Sequence, residues 1–145
     1  SSELGIIAVR DFMKQAGAAD DSFMQYDGSG LSRHNLVSPD SVIAIYDYMG
    51  KRSSFAKAWR DSLTIGGVDG TLRNRFKGTR GEGNVRGKTG TINQVSALSG
   101  YLTTNGGEEV IFSALVNGIP ETRTRVALID ELVMMLVNFN GRVAD

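Results

Sequence analysis

The stretch from Val85 to Asn117 constrains the fold more than any other part of the chain. Before it, apolar residues recur at helical spacing; within it, β-branched and alternating residues take over, and one kind of element cannot satisfy both periods. Three strands are predicted, near Val85 to Ile92, Val95 to Thr103 and Glu109 to Asn117, with Asn105-Gly106-Gly107 as the tight turn between the last two. The last strand is apolar on both faces, with Val110, Phe112 and Ala114 on one and Ile111 and Leu115 on the other. Helices are therefore expected to cover one side of an antiparallel sheet, and something else the other. Val126, Ile129, Leu132, Val133, Leu136 and Phe139 then form a helical stripe, so a long C-terminal helix should lie on the sheet.

The N-terminal half reads as helical. Leu4, Ile7, Ala8, Phe12, Met13 and Ala16 predict an amphipathic helix from about Glu3 to Ala16, stopped at Gly17, a residue suited to a left-handed cap. Ser38-Pro39-Asp40-Ser41 is a helix entry: a capping hydroxyl, proline in the first turn and an acid at the positive end of the dipole. Val42, Ile43, Tyr46 and Met49 give that helix its buried face up to Gly50. A third helix is predicted from Ser53 or Ser54 through Trp59, broken by the run Gly66 to Gly70, with a short helical turn over Thr71 to Phe76. Lys77 to Gly87, with four glycines, reads as a flexible loop. The fold class is thus α/β in the mixed, α+β sense, and residues 1–145 read as one unit with a core of ordinary size.

Composition removes several functions. Sixteen basic and sixteen acidic residues cancel, so nothing attracts the chain generally to nucleic acid. There is no cysteine and a single histidine, His34, which argues against disulfides and a transition-metal site. No apolar run approaches the ~20 residues that span a bilayer. The opening Ser1-Ser2-Glu3-Leu4 lacks signal-peptide character, so any export signal of the parent protein is expected to lie elsewhere.

Two polar segments carry chemistry. In Gly87-Lys88-Thr89-Gly90-Thr91 small residues leave one cation and two hydroxyls able to approach a bound carboxylate. On an edge strand, substrate backbone can pair alongside while the N–H of Thr91 points into the site. Lys-Thr-Gly is also one of the three motifs of serine β-lactamases and penicillin-binding proteins. Upstream, Asp27-Gly28-Ser29-Gly30-Leu31-Ser32-Arg33-His34-Asn35 can present Ser32 as a proton shuttle and a neighbouring amide as a donor to a substrate carbonyl. The blander readings are a hairpin strand with an exposed lysine and a capped surface loop; His34 alone reads as a loop histidine.

With Gly67-Val68-Asp69-Gly70-Thr71-Leu72 between them and Leu98-Ser99-Gly100-Tyr101 after, these segments resemble, in order and spacing, the low-molecular-mass class C penicillin-binding proteins. These are the D-alanyl-D-alanine carboxypeptidase/endopeptidases related to penicillin-binding protein 4. The resemblance implies the C-terminal part of a β-lactamase/transpeptidase-like domain, located outside the cytoplasmic membrane, acting on peptidoglycan stem peptides and acylated by β-lactams. It implies catalytic roles for Ser32, Asn35 and Lys88, and substrate contacts for Thr89, Gly90, Thr91 and His34. The family's middle motif is Ser-x-Asn, whereas Ser32 is followed by Arg33, His34 and Asn35, so either His34 or Asn35 fills the amide position. Chemistry favours Asn35, whose neutral amide donates at any pH. No metal or organic cofactor is required.

The Ser-x-x-Lys nucleophile is expected before the middle motif. Ser54-Phe55-Ala56-Lys57 is the one literal match, but it follows that motif and reads as a helix cap with a solvated lysine. The chain is therefore expected to be a C-terminal fragment, catalytically incomplete alone, whose partner is the missing N-terminal part of the same protein. An open sheet edge should then invite self-association. Two alternatives stand beside this reading: a β-lactamase or esterase descendant, with Asp69 as a remote candidate for activating water, and a non-catalytic module that retains only carboxylate recognition.

Overall fold

A computed structural model describes residues 2–142 of the chain. They gather into two compact units, Ser1–Lys57 and Ala58–Asp145.

In the first unit, α1 (Ser2–Ala16) ends as its sequence dictates. Gly17 takes a φ of 96°, its N–H donates to the Lys14 carbonyl at 3.0 Å, and Ala18 N–H donates to Met13 at 3.0 Å, the double bond of a glycine-closed helix end. Only Met13 and Ala16 of the expected apolar stripe are buried; Leu4 and Ile7 are exposed. α2 (Pro39–Asp47) starts where predicted, with Ser38 Oγ accepting from Ser41 N–H at 3.2 Å, and runs on into a π-helical turn, Tyr48–Arg52. Two short strands, β1 (Phe23–Met24) and β2 (Leu36–Val37), pair antiparallel and make the polar loop between them a hairpin connection. At two residues each, they are too short to announce themselves by alternation.

The second unit holds the sheet. α3 (Ala56–Asp61) precedes β3 (Thr64–Ile65), and a 3-10 turn (Gly70–Leu72) leads towards β4 (Arg86–Ile92), β5 (Val95–Thr103) and β6 (Glu109–Asn117). The sheet is antiparallel in the order β3-β4-β5-β6, one short strand more than the three predicted. α4 (Thr122–Val137) packs on β5 and β6, closing a core of Leu72, Phe76, Val85, Leu98, Leu102, Phe112, Ile129, Val133 and Val137.

Two expectations are corrected here. Of the predicted stripe on α4, Ile129 and Val133 are buried and Val126 and Leu136 half-buried, whereas Leu132 is 52% exposed and Phe139 lies past the end of the helix; Arg125 and Val137 complete the buried row. The glycine-rich stretch before β4 is pinned rather than loose. Gly83 N–H donates to Gly66 O and Gly66 N–H to Val85 O, both at 2.8 Å, and Val85 is fully buried. Among the described residues no helix is long and apolar enough to cross a membrane.

Candidate active site

Ser32, His34 and Asn35 belong to the first unit; Lys88, Thr89, Gly90 and Thr91 belong to the second.

Only the start of β4 is paired on both sides. Its ladder with β3 covers Ile65↔Arg86 and Thr64↔Gly87, and beyond Gly87 the edge is open, while pairing with β5 continues to Ile92↔Val95. Antiparallel strands direct their peptide groups to alternate sides. Val85 and Gly87 turn their carbonyls towards the β3 side, accepting from Gly66 N–H at 2.8 Å and from Thr64 Oγ1 at 2.9 Å. Two-residue alternation therefore puts the peptide groups of Thr89 and Thr91 on that same, unpaired edge. Lys88 Nζ confirms the direction, donating to the outward Thr89 carbonyl at 2.7 Å. The result is a strand edge without a partner strand among the described residues, with outward peptide groups at Thr89 and Thr91 and an ammonium that in this structure bonds the Thr89 carbonyl; such an edge can take an extended peptide with a terminal carboxylate.

The pleat divides the side chains. Lys88 lies opposite Ser99 and Gly90 opposite Ala97 on one face, whereas Thr89 opposite Leu98 and Thr91 opposite Ser96 share the face that α4 covers. Thr89 Oγ1 donates to Thr71 Oγ1 at 2.9 Å. A ligand lying along the edge of β4 is thus flanked by the cation on one face and the hydroxyls on the other. A Cβ on Gly90 would meet only the Ala97 Cβ, at 3.6 Å.

In the first unit, Asn35 closes the loop between β1 and β2. Its Oδ1 accepts from Tyr26 N–H at 2.7 Å and Asp27 N–H at 3.1 Å, and its Nδ2 donates to Asp27 O and Oδ1, both at 3.2 Å. Asp27 Oδ1 also accepts from Ser29 N–H at 3.0 Å and Ser29 Oγ at 2.8 Å. Those donors, the Ser29 backbone N–H foremost, hold the Asp27 carboxyl below its ordinary range, helped by Asn35 and by the charge of His34. In this structure both hydrogen bonds that Asn35 Nδ2 donates go to Asp27. His34 is exposed, with its ring centroid 5.2 Å from that of Tyr26. Ser32 is half-buried; its Oγ accepts from His34 N–H at 3.2 Å, which leaves its own hydrogen to donate.

Ser54 and Lys57, the literal Ser-x-x-Lys match, are both exposed around the start of α3, where Ser53 Oγ accepts from Phe55 N–H at 3.1 Å. The helix predicted from Ser53 or Ser54 begins at Ala56. Sequence reasoning overlooked Arg125, although Arg125 heads the i, i+4 row Ile129, Val133, Val137 and could have been found by that spacing.

Sequence comparison assigns a family to this scaffold and its lysine-bearing edge. Residues 1–138 match the D-Ala-D-Ala carboxypeptidase 3 (S13) family, and the chain belongs to that family. It is 38% identical over 149 residues to the D-alanyl-D-alanine carboxypeptidase of Actinomadura sp. (strain R39), covering 98% of this chain and 27% of the relative. It is 35% identical over 120 residues to D-alanyl-D-alanine carboxypeptidase DacB of Haemophilus influenzae, covering 81% of this chain and 25% of that protein. The crystal structure of Haemophilus influenzae penicillin binding protein 4, complexed with a β-lactam, superposes with a TM-score of 0.83 at 30% identity over 96% of this chain and 34% of that one. The Bd0816 predatory endopeptidase of Bdellovibrio bacteriovorus shares the fold, with a TM-score of 0.74 at 22% identity over 90% of this chain and 36% of that one. The chain thus spans about a quarter of the length of these curated relatives.

Proposed function

We propose that this chain is part of a serine-type D-alanyl-D-alanine carboxypeptidase or endopeptidase that cleaves peptidoglycan stem peptides outside the cytoplasmic membrane and is acylated by β-lactams. The observation that carries the reading is the free edge of β4 from Lys88 to Thr91, with its outward peptide groups and ammonium. Along it the substrate lies extended. Lys88 anchors the terminal carboxylate, the Thr91 N–H stabilises the developing oxyanion, and Gly90 leaves room for the chain to pass.

Acyl transfer needs a nucleophile, which the remaining part of the protein supplies through a Ser-x-x-Lys pair. Its oxygen attacks the penultimate carbonyl, the scissile C–N bond breaks, and the departing D-alanine amine takes a proton relayed by the Ser32 hydroxyl. Water then releases the acyl group. Asn35 contributes by fixing the loop that carries Ser32, and His34 is the side chain of that loop left to touch substrate. The unpaired edge of β6 is the place where the rest of the polypeptide, or a second copy, adds a strand.

The test is direct. The intact protein should release D-alanine from an acylated D-alanyl-D-alanine peptide and take up one equivalent of labelled penicillin. Ser32→Ala should slow both by at least about tenfold. Binding of either ligand without turnover or labelling would instead favour a carboxylate-binding module, and no interaction with either would refute the proposal.

A further inference from the structure

We infer that Arg125 is a positioning and specificity residue for the carboxylate end of the substrate; this rests on the reading of β4 just given. A guanidinium is costly in three circumstances: out of water, without a carboxylate, and near the amino end of a helix, where the dipole is already positive. Arg125 meets all three. It is 1% exposed and lies in the first turn of α4. Its partners are neutral: Nε donates to Ser96 Oγ at 3.0 Å, Nη1 to the carbonyls of Ile119 and of Pro120 (2.9 Å), and Nη2 to Thr122 Oγ1 at 2.8 Å. Among the described residues no acid pairs with it.

Its position gives that cost a use. Ser96, which receives the Nε hydrogen bond, is the cross-strand partner of Thr91, and both side chains stand on the α4 face. The charge therefore lies on the α4 face against β5, the strand next in from the open edge, bonded to the cross-strand partner of the residue whose N–H points outward. Buried charges are screened little by salt. Arg125 thus does two things: it clamps the end of the β4–β5 hairpin to the turn that starts α4, and it adds a fixed positive potential to an edge that receives an anion. Lys88 makes the contact; Arg125 adds its field from the opposite face of the sheet.

The experiment compares affinity for N-acyl-D-alanyl-D-alanine with affinity for its C-terminal carboxamide, measured on the intact protein. The unsubstituted protein prefers the carboxylate. Arg125→Gln, which removes the charge and keeps some hydrogen bonding, should reduce that preference about tenfold, the size expected for a unit charge acting across several ångströms of protein. Ser96→Ala, which cuts one hydrogen bond but leaves the charge, should keep the ratio near its original value and fold even if Arg125→Gln does not. Equal losses for both ligands in Arg125→Gln, or a ratio that collapses in Ser96→Ala, would overturn the electrostatic role while leaving the proposed function standing. An unsubstituted protein without carboxylate preference would sink both.

Discussion

Gly87 stands directly opposite Gly100 in the β4–β5 ladder, and neither position has room for a side chain. A Cβ on Gly100 would sit 2.2 Å from the Arg86 carbonyl oxygen and 2.8 Å from the Gly87 Cα; one on Gly87 would sit 2.4 Å from the Ser99 carbonyl oxygen. The obstacles are backbone, so no rotamer change relieves them. The two strands approach closely one residue before Lys88, which ties the start of the open edge to the centre of the sheet.

Gly100→Ala and Gly87→Ala should therefore each destabilise the second unit by about 2 kcal/mol or more, the usual scale for forcing atoms into a closed space. Gly90→Ala, with only ordinary contact to Ala97, should stay within about 1 kcal/mol of the parent. Denaturant midpoints for the three variants check this ordering, and equal midpoints would contradict it.

Asn35→Ala removes four hydrogen bonds that hold the β1–β2 loop. The expected cost is about 1–3 kcal/mol, because the Tyr26 and Asp27 N–H groups lose their acceptor. Hydrogen exchange at those two amides should accelerate markedly in the variant. Unchanged protection would show that Asn35 is not the closing residue.

The Asp27 carboxyl is held low by the Ser29 N–H, so its ionised form is favoured in the folded loop. The sign follows: this stabilisation is fully present above the ordinary aspartate value and is lost as pH falls through the lower, folded one, in the acid range below about pH 4. An NMR titration of the Asp27 side chain should give a midpoint beneath that of an unstructured aspartate, with the Ser29 amide signal shifting in step. A midpoint at or above the ordinary value would contradict the loop geometry.

Leu132 and Met135 on α4, with Phe139 just past its end, leave exposed apolar side chains on the element that packs against β6. With Phe112, Ala114 and Leu136 the first two line a groove of about 300 Å³. Met135 is 71% exposed, so Met135→Lys should cost little stability while reducing any self-association seen by sedimentation. An undiminished sedimentation coefficient at high concentration in the variant would remove this face from the interface.

Long elements were legible because two signals agreed in each. β5 and β6 fall at the predicted residues, since alternation and the Asn105-Gly106-Gly107 turn point the same way. α1 ends at the predicted glycine for the equally local reason that only a left-handed residue closes it so. What escaped depends on partners distant in sequence. β3 has two residues and exists through Gly87 and Arg86; the stretch before β4 is rigid because Gly66 bonds it from outside. The α4 stripe was legible in Ile129 and Val133, but not the arginine that opens its buried row, because the acceptors of Arg125 come from β5 and the preceding turn. For the candidate site, sequence could nominate Lys88 and Thr91, but the division of their faces, and the engagement of Asn35 by Asp27, required coordinates.

The account stands most directly on Lys88. Its side chain is exposed and, among the described residues, its Nζ bonds the Thr89 carbonyl, so Lys88→Ala should leave thermal stability nearly unchanged. The rate at which penicillin acylates the intact protein should nevertheless fall by about 10²-fold or more, the scale of losing one preorganised contact to developing charge. An acylation rate equal to that of the unsubstituted protein would contradict the assignment of the β4 edge as the carboxylate site.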